Sequence, residues 1–193
     1  MKVIRLYKDS QFPVEPCDLI VCKAYPFTLT KEQLAHPRIG CINIHSSLLP
    51  KYRGRHPIVW AMINQEKEIG VTIHWIDEEI DHGDIIIQVG TPLNVNNTYP
   101  EIKDRLDYAG EIALLQVLKE FEAGKFNRIP QNHLQATYWP RRTPEMSELK
   151  NMTTMKGKGV VAFINALAYP MPNAFVYDAE GHKILFMGAK YEE

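Results

Sequence analysis

The sequence predicts an α/β fold in which a mostly parallel sheet is covered by helices on both faces. Two observations carry that expectation. Short apolar runs, bounded by turn formers, alternate along the first half of the chain with segments of helical period, and such alternation builds crossover-connected parallel strands. One segment is long and regular enough to be a full helix lying along a sheet. With 193 residues, 45% hydrophobic and 23% charged, the chain is long enough to bury the core of one domain.

Strands are expected at residues 3–7, 19–24, 41–45, 71–76 and 84–89, where β-branched and other apolar residues gather, as in LIVCKA and VTIHWI. Helices are expected at residues 30–35 and 57–64. Pro57 opens the second at the first helical position, where its missing N–H removes no hydrogen bond. A long helix begins at Thr98, whose hydroxyl and the Glu101 carboxylate form a capping box. Its apolar positions Ile102, Leu106, Ala109, Ala113, Val117 and Phe121 recur every three to four residues, and Gly124 ends it. After Arg128 the texture changes to a Pro- and Arg-rich loop. A short helix near residues 160–168 follows, then a hairpin of residues 175–177 and 183–187 around the turn DAEGH. The expected organisation is a main unit over residues 1–128 and a linker with a small helix-and-hairpin appendage over residues 129–193.

A net charge of −1 supplies no general pull toward nucleic acid, whose binding is dominated by phosphate neutralisation. Cys17, Cys22 and Cys41 form no CxxC pair and leave an odd count, which points away from a disulfide framework or a zinc site and toward a reducing cytoplasm. No apolar stretch approaches the roughly 20 residues of a membrane span.

The chemistry concentrates between Cys41 and Gln88. In CINIH the period of two places Ile42 and Ile44 on one face of a strand and Asn43 and His45 on the other, so an amide donor and an imidazole point the same way. The turn-rich SSLLPKYRG leaves His45 at a strand exit, where open α/β sheets bind ligands. Asp81 sits in a second exit, the acidic loop DEEIDHGD. An amide, an imidazole and a carboxylate are the groups that acyl transfer can use.

Asn43-Ile44-His45, then Ser47-Leu48-Leu49-Pro50 with Gly54, then Asp81-His82-Gly83 resemble the 10-formyltetrahydrofolate-dependent formyltransferases. That family includes glycinamide ribonucleotide, methionyl-tRNA and sugar-nucleotide formyltransferases. The resemblance runs on through ATYWPRRTPE at residues 136–145 and PMPNAF at residues 170–175. KYRGRHP with the following Trp60, then GVTIH, is most similar to the branch that formylates amino sugars on nucleotide carriers. The resemblance implies a Rossmann-like sheet, 10-formyltetrahydrofolate as co-substrate and a small-molecule amine acceptor. His74, His82, Asp81 and Asp84 lack the stronger ligand spacings, so no metal is expected, and charge and hydropathy point away from nucleic acid and membrane.

Amine attack on a formyl carbon sets three tasks: taking a proton, stabilising an oxyanion and placing the folate. The resemblance assigns the first to His45, whose ordinary pKa lies near neutrality, and the second to the Asn43 amide. Asp81 orients or charge-stabilises His45. The pterin is expected against residues 25–29 and 76–81, with Tyr25, Phe27, Leu29, Ile76, Asp77 and Asp81 named as its neighbours, largely through backbone hydrogen bonds. Arg53 and Arg55 either clamp an acceptor phosphate or are solvated turn charges, and Arg141 and Arg142 share that ambiguity. His74, pointing with Thr72, either supports the site or is a satisfied histidine of the sheet.

Family members complete two βα units before the strand that corresponds here to DLIVCKAY, whereas only MKVIRLYKDSQFPVEPC precedes Asp18. At ~30 residues per βαβ unit that is roughly 60 residues, so an N-terminally shortened member is expected. Acceptor binding would then depend on Arg53, Arg55 or a partner subunit, and a homodimer would cover the open sheet edge. Competing functions are a formyltetrahydrofolate hydrolase, a methionyl-tRNA formyltransferase and a non-catalytic folate-binding protein.

Overall fold

The computed structural model describes residues 1–192. In chain order its elements are β1 Val3–Leu6, β2 Leu19–Lys23, α1 Lys31–Leu34, β3 Gly40–His45, β4 Arg53–Gly54, α2 Pro57–Ile63, β5 Glu68–Trp75 and β6 Ile85–Pro92. They continue with α3 Tyr99–Glu122, β7 Tyr138–Trp139, α4 Gly157–Ala166, β8 Phe175–Tyr177 and β9 Lys183–Leu185. A five-stranded sheet of order β1-β2-β3-β5-β6 forms the centre. β1, β2 and β3 pair in parallel, while β5 is antiparallel to both β3 and β6. β6 therefore points with the first three strands and only β5 is reversed, which makes the sheet mostly parallel in direction.

Burial explains the apolar runs. Strands covered on both faces read as continuous hydrophobic sequence, and LIVC of β2 is buried residue after residue. Leu19 and Val21 join Ile42, Ile44, Val71 and Ile73 in the cluster beneath Ala113, Leu114, Val117 and Phe121 of α3. Ile20 and Cys22 face the other way, into a cluster with Leu6, Cys17, Leu29 and Cys41. The capping box closes as expected, with the Thr98 N–H donating to Glu101 Oε2 at 2.9 Å. No helix among the described residues is long and apolar enough to cross a membrane.

The structure corrects the expected division at residue 128. Leu149, Ile164, Ala166, Leu167 and Ala174 share one buried cluster with Val59, Trp60 and Met62 of α2 and with Ile102 and Leu106 of α3. The segment after residue 128 is thus part of the same core, and the change of texture there marks a loop rather than a boundary. The short parallel ladder β4–β7, pairing Arg53 with Tyr138 and Gly54 with Trp139, brings that loop back onto the main sheet. Two residues in each strand are too few for a periodic pattern, so the ladder is absent from the sequence expectations.

Candidate active site

The period of two in CINIH holds. Ile42 and Ile44 enter the cluster beneath α3, which leaves Asn43 and His45 on the other face at the end of β3. The antiparallel register sets Asn43 opposite His74 and His45 opposite Thr72. Thr72, wholly buried, pins the loop that follows β3: its hydroxyl donates to the Ser47 carbonyl at 2.7 Å and accepts from the Leu49 N–H at 3.1 Å. Gln88 of β6 adds bonds to the Leu49 carbonyl and to Thr72 Oγ1, both at 2.8 Å.

The loop delivers the Tyr52 carbonyl to His45. Tyr52 sits in the left-handed region at φ 60°, with its N–H bonded to Thr137 Oγ1 at 2.8 Å and its hydroxyl donating to Glu66 Oε1 at 2.8 Å. Its carbonyl lies 2.8 Å from His45 Nε2. A carbonyl only accepts, so Nε2 carries a proton and the other nitrogen, Nδ1, is the one free to take another. That Nδ1 is 3.5 Å from Asp81 Oδ1.

Asp81 is also left-handed, at φ 51°, a conformation that costs a non-glycine residue of order 1–3 kcal/mol and persists where its surroundings enforce it. The enforcement is visible. Gln131 Nε2 donates to the Asp81 carbonyl at 2.9 Å and to the Gly83 carbonyl at 2.7 Å, while Gln131 Oε1 accepts from Arg53 Nη2 at 2.6 Å and Nε at 3.2 Å. Gly83 fits because it has no side chain: a Cβ there would lie 2.1 Å from the Trp75 carbonyl oxygen. On the carboxylate, Oδ2 accepts the Gly54 N–H at 2.8 Å, and Oδ1 lies 3.3 Å from Asn43 Nδ2 and 3.5 Å from His74 Nε2. Gly54 is equally confined, since at φ 95° a Cβ would meet the Trp139 carbonyl at 2.5 Å.

Burial and neighbouring groups set the protonation here. Burial pushes the Asp81 carboxyl up, but the His45 and His74 imidazoles and the Gly54 N–H outweigh it and hold Asp81 well below the usual carboxylate range. Burial dominates at His45, which is only 7% exposed, and pushes its imidazole below its ordinary value against the opposing pull of Asp81 and the Tyr52 carbonyl. A neutral imidazole with a free Nδ1 thus faces an ionised carboxylate. The Asn43 amide completes the group, its Nδ2 3.2 Å from His74 Nε2. Both Nδ2 contacts are at the long end of the hydrogen-bond range, so little is lost when one hydrogen turns to another acceptor.

Of the residues expected at the site, Asn43, His45 and Asp81 converge on one carboxylate oxygen. His74 stands behind them at 2% exposure, its Nδ1–H donating to the Trp75 carbonyl at 2.8 Å, in a position that supports the group. Arg53 is a second correction. It is 1% exposed and four of its five N–H groups are taken, by Gln131, by Tyr138 OH at 2.6 Å and by His133 Nδ1 at 2.9 Å, which sets it in the scaffold behind the site. Arg55 remains exposed and reaches the Pro26 carbonyl at 2.8 Å. In the two flanking loops, Phe27 is 66% exposed and packs edge-on against Tyr25, whereas the Leu29 side chain belongs to the core. Ile76 packs against the same cluster, and Asp77 is held by His82 Nδ1 at 2.7 Å. Tyr52, Thr72 and Gln131 were missed, whereas Gly54 was named only as the glycine of the KYRG turn.

Among the described residues no three of His, Cys, Asp and Glu gather to hold a metal. Burial pushes the Cys22 and Cys41 thiols up to about 12, which removes them as nucleophiles near neutral pH.

A base, an amide donor and an anion at a strand exit, with no side-chain nucleophile, suit direct transfer of an acyl group between two substrates. The chain belongs to the formyl transferase family, whose pattern it matches over residues 9–118, more than half its length. It is 37% identical to a methionyl-tRNA formyltransferase of Alkaliphilus oremlandii over 161 residues, covering 83% of this chain and 51% of that protein. The chain spans about half or less of the length of such curated relatives, down to 37% for the one from Synechocystis. Among solved structures, a 4-N formyltransferase from Francisella tularensis superposes with a TM-score of 0.79 at 28% identity, covering 91% of this chain and 72% of that one. The sugar 3N-formyltransferase WlaRD, solved with dTDP and 5-N-formyl-THF, superposes at 0.67 with 25% identity, covering 77% and 53%.

Proposed function

We propose that the chain moves a formyl group from 10-formyltetrahydrofolate to the primary amine of a small phosphorylated acceptor, with nucleotide-linked amino sugars as the substrate class. One observation carries this reading: the tautomer of His45 is fixed by the Tyr52 carbonyl so that a neutral Nδ1 faces the ionised Asp81 beside the Asn43 amide. The solved sugar formyltransferases of similar fold support the acceptor class.

As the amine attacks the formyl carbon, His45 Nδ1 takes the amine proton and the imidazolium gains the Asp81 carboxylate as its counterion. The carbonyl oxygen becomes an oxyanion, toward which one Asn43 N–H turns from Asp81. Collapse expels the folate nitrogen, which takes the proton back from His45. Proton transfer of this kind is worth roughly 10²- to 10⁴-fold, and one oxyanion donor about 10²- to 10³-fold. For the formyl donor, the loops at residues 25–29 and 76–81 flank the group, and the exposed Phe27 and Ile80 side chains offer apolar surface to a flat pterin.

A second reading, methionyl-tRNA as acceptor, is favoured by the curated relatives, which are methionyl-tRNA formyltransferases at 37% to 46% identity. Incubation with 10-formyltetrahydrofolate in three arms separates the readings: a nucleotide-linked amino sugar, charged initiator tRNA, and no acceptor. Folate release and the formylated product are read by mass spectrometry. Turnover that needs the sugar supports the proposal. Salt-sensitive turnover that needs tRNA replaces it with the second reading, and equal turnover without acceptor makes the chain a hydrolase.

A further inference from the structure

Four buried side-chain polar atoms have no hydrogen-bond partner among the described residues: His56 Nδ1, Trp139 Nε1, Arg142 Nε and Ser147 Oγ. All four fall in one neighbourhood around Trp60. The Trp139 ring lies 4.6 Å from the Trp60 ring, and the Arg142 guanidinium carbon lies 4.7 Å from it. Arg142 bonds through Nη2 to the Met146 carbonyl, next to Ser147, and His56 is the N-cap of the helix that carries Trp60. Native proteins seldom leave buried donors unpaired, and where they do a ligand or ion often completes them.

The chemistry of the cluster is one-sided. Arg142 is 8% exposed, while Arg55 and Arg141 are exposed beside it. Burial first, then Arg141, Arg142 and Arg55, push the His56 imidazole below its ordinary pKa, so three guanidinium groups act on one ring. The arginines that form ion pairs among the described residues are Arg5, Arg38 and Arg128; none of these three is among them. An indole N–H, guanidinium N–H groups, an imidazole and a hydroxyl with no carboxylate to answer them suit an anion with several acceptor oxygens, and the arginine fork matches phosphate.

The cluster lies next to the reacting group. The Gly54 N–H bonds to Asp81 at 2.8 Å, and His56 follows by two residues, a span of at most ~7 Å. That is the scale separating an amine on a sugar ring from a phosphate on the same ring. We propose that Arg55, His56, Trp139, Arg141 and Arg142 form a phosphoryl-binding site that holds the phosphate or diphosphate of the acceptor. The assignment of that anion to the acceptor rests on the formyl-transfer reading; the anion site itself does not. Its deepest donors are closed to solvent, so phosphoryl oxygens reach them only as neighbouring side chains move with the ligand.

The test is calorimetric titration of the whole chain with inorganic pyrophosphate and with a nucleoside diphosphate. Arg141→Gln and Arg55→Gln change exposed side chains, and thermal melting checks that each variant folds. The expected result is measurable binding of both ligands, weakened at least tenfold in the double variant, with the His56 ring resonances shifting as pyrophosphate is added. A nucleoside diphosphate that binds more tightly than pyrophosphate extends the site to a nucleotide-linked acceptor. Pyrophosphate binding without any formyl transfer keeps the site and removes the reaction. Absence of binding, binding indifferent to both substitutions, or a His56 resonance that does not move overturns the site, whatever the outcome for formyl transfer.

Discussion

Arg53 and Arg142 are both buried, both lie by the β4–β7 ladder, and neither meets a carboxylate among the described residues, yet their surroundings differ. Arg53 is engaged by Gln131, Tyr138 and His133, and through Gln131 it fixes the backbone of Asp81. Arg142 stacks on Trp60 and leaves Nε unpaired. A buried charge with its hydrogen bonds nearly complete is part of the scaffold, whereas one left mostly unpaired points to something that completes it. Burial alone does not tell the two apart, and the account of each polar atom does.

The satisfied side of this comparison ends in the proposed catalytic group, and breaking it there has the largest expected effect. His45→Asn should lower formyl-transfer turnover by roughly two to four orders of magnitude while reduced-folate binding, followed by fluorescence, stays nearly unchanged. Full retention of activity would take His45 out of the mechanism. Asn43→Ala should cost about 10²- to 10³-fold in turnover, because a preorganised donor is lost.

The pH dependence comes next in size. With His45 proposed as a neutral base and its pKa depressed, activity should rise through a limb lying below the ordinary histidine value of about 6.5. Asp81 is the charge that most opposes the depression. Asp81→Asn should therefore slow the reaction and move the acid limb to still lower pH, and a profile that overlays the wild type would show that the two groups do not communicate. Stability follows the same direction. The Asp81 carboxyl is depressed in the folded chain, so its contribution is complete above its unfolded value near 3.9 and is lost as pH falls toward the folded one. Protonation of buried His45 is opposed as well, which adds to acid lability below about 6.5.

The two arginines give the smallest effects and the sharpest contrast. Arg53→Met strands Gln131 Oε1 and the Tyr138 hydroxyl, and should destabilise the fold by about 1–3 kcal/mol in denaturant titration. It should also alter the pH profile, since Gln131 no longer holds the Asp81 loop. Arg142→Met removes a cation whose bonds are incomplete and should be nearly neutral, within about 1 kcal/mol, because replacing an uncompensated buried ion with an apolar residue costs little. Equal losses from the two substitutions would erase the distinction.

Much of the fold was legible along the chain because its signals are local. The alternation in CINIH, the apolar run LIVC, Pro57 at a helix start and the Thr98–Glu101 pair each depend on residues a few positions apart, and each element formed within a few residues of its expected bounds. For the same reason the sequence indicated that Asn43 and His45 share a face. What it did not show is what covers that face. Arg53 meets Tyr138 across 85 positions and Gln131 meets Asp81 across 50, and no periodic pattern encodes a contact at that range. The left-handed conformations of Tyr52 and Asp81 are equally invisible: Asp enters that region more readily than most residues and Tyr does not, and in both the surrounding hydrogen bonds select it. By itself the sequence determined the strands, the helices and the candidate base, amide and carboxylate, because period and residue type are properties of the chain. Tertiary structure decided that Arg53 belongs to the scaffold, that Tyr52 selects the His45 tautomer, and that Arg142 lies with His56 around Trp60, because satisfaction of a polar atom depends on what the fold brings within 3 Å of it.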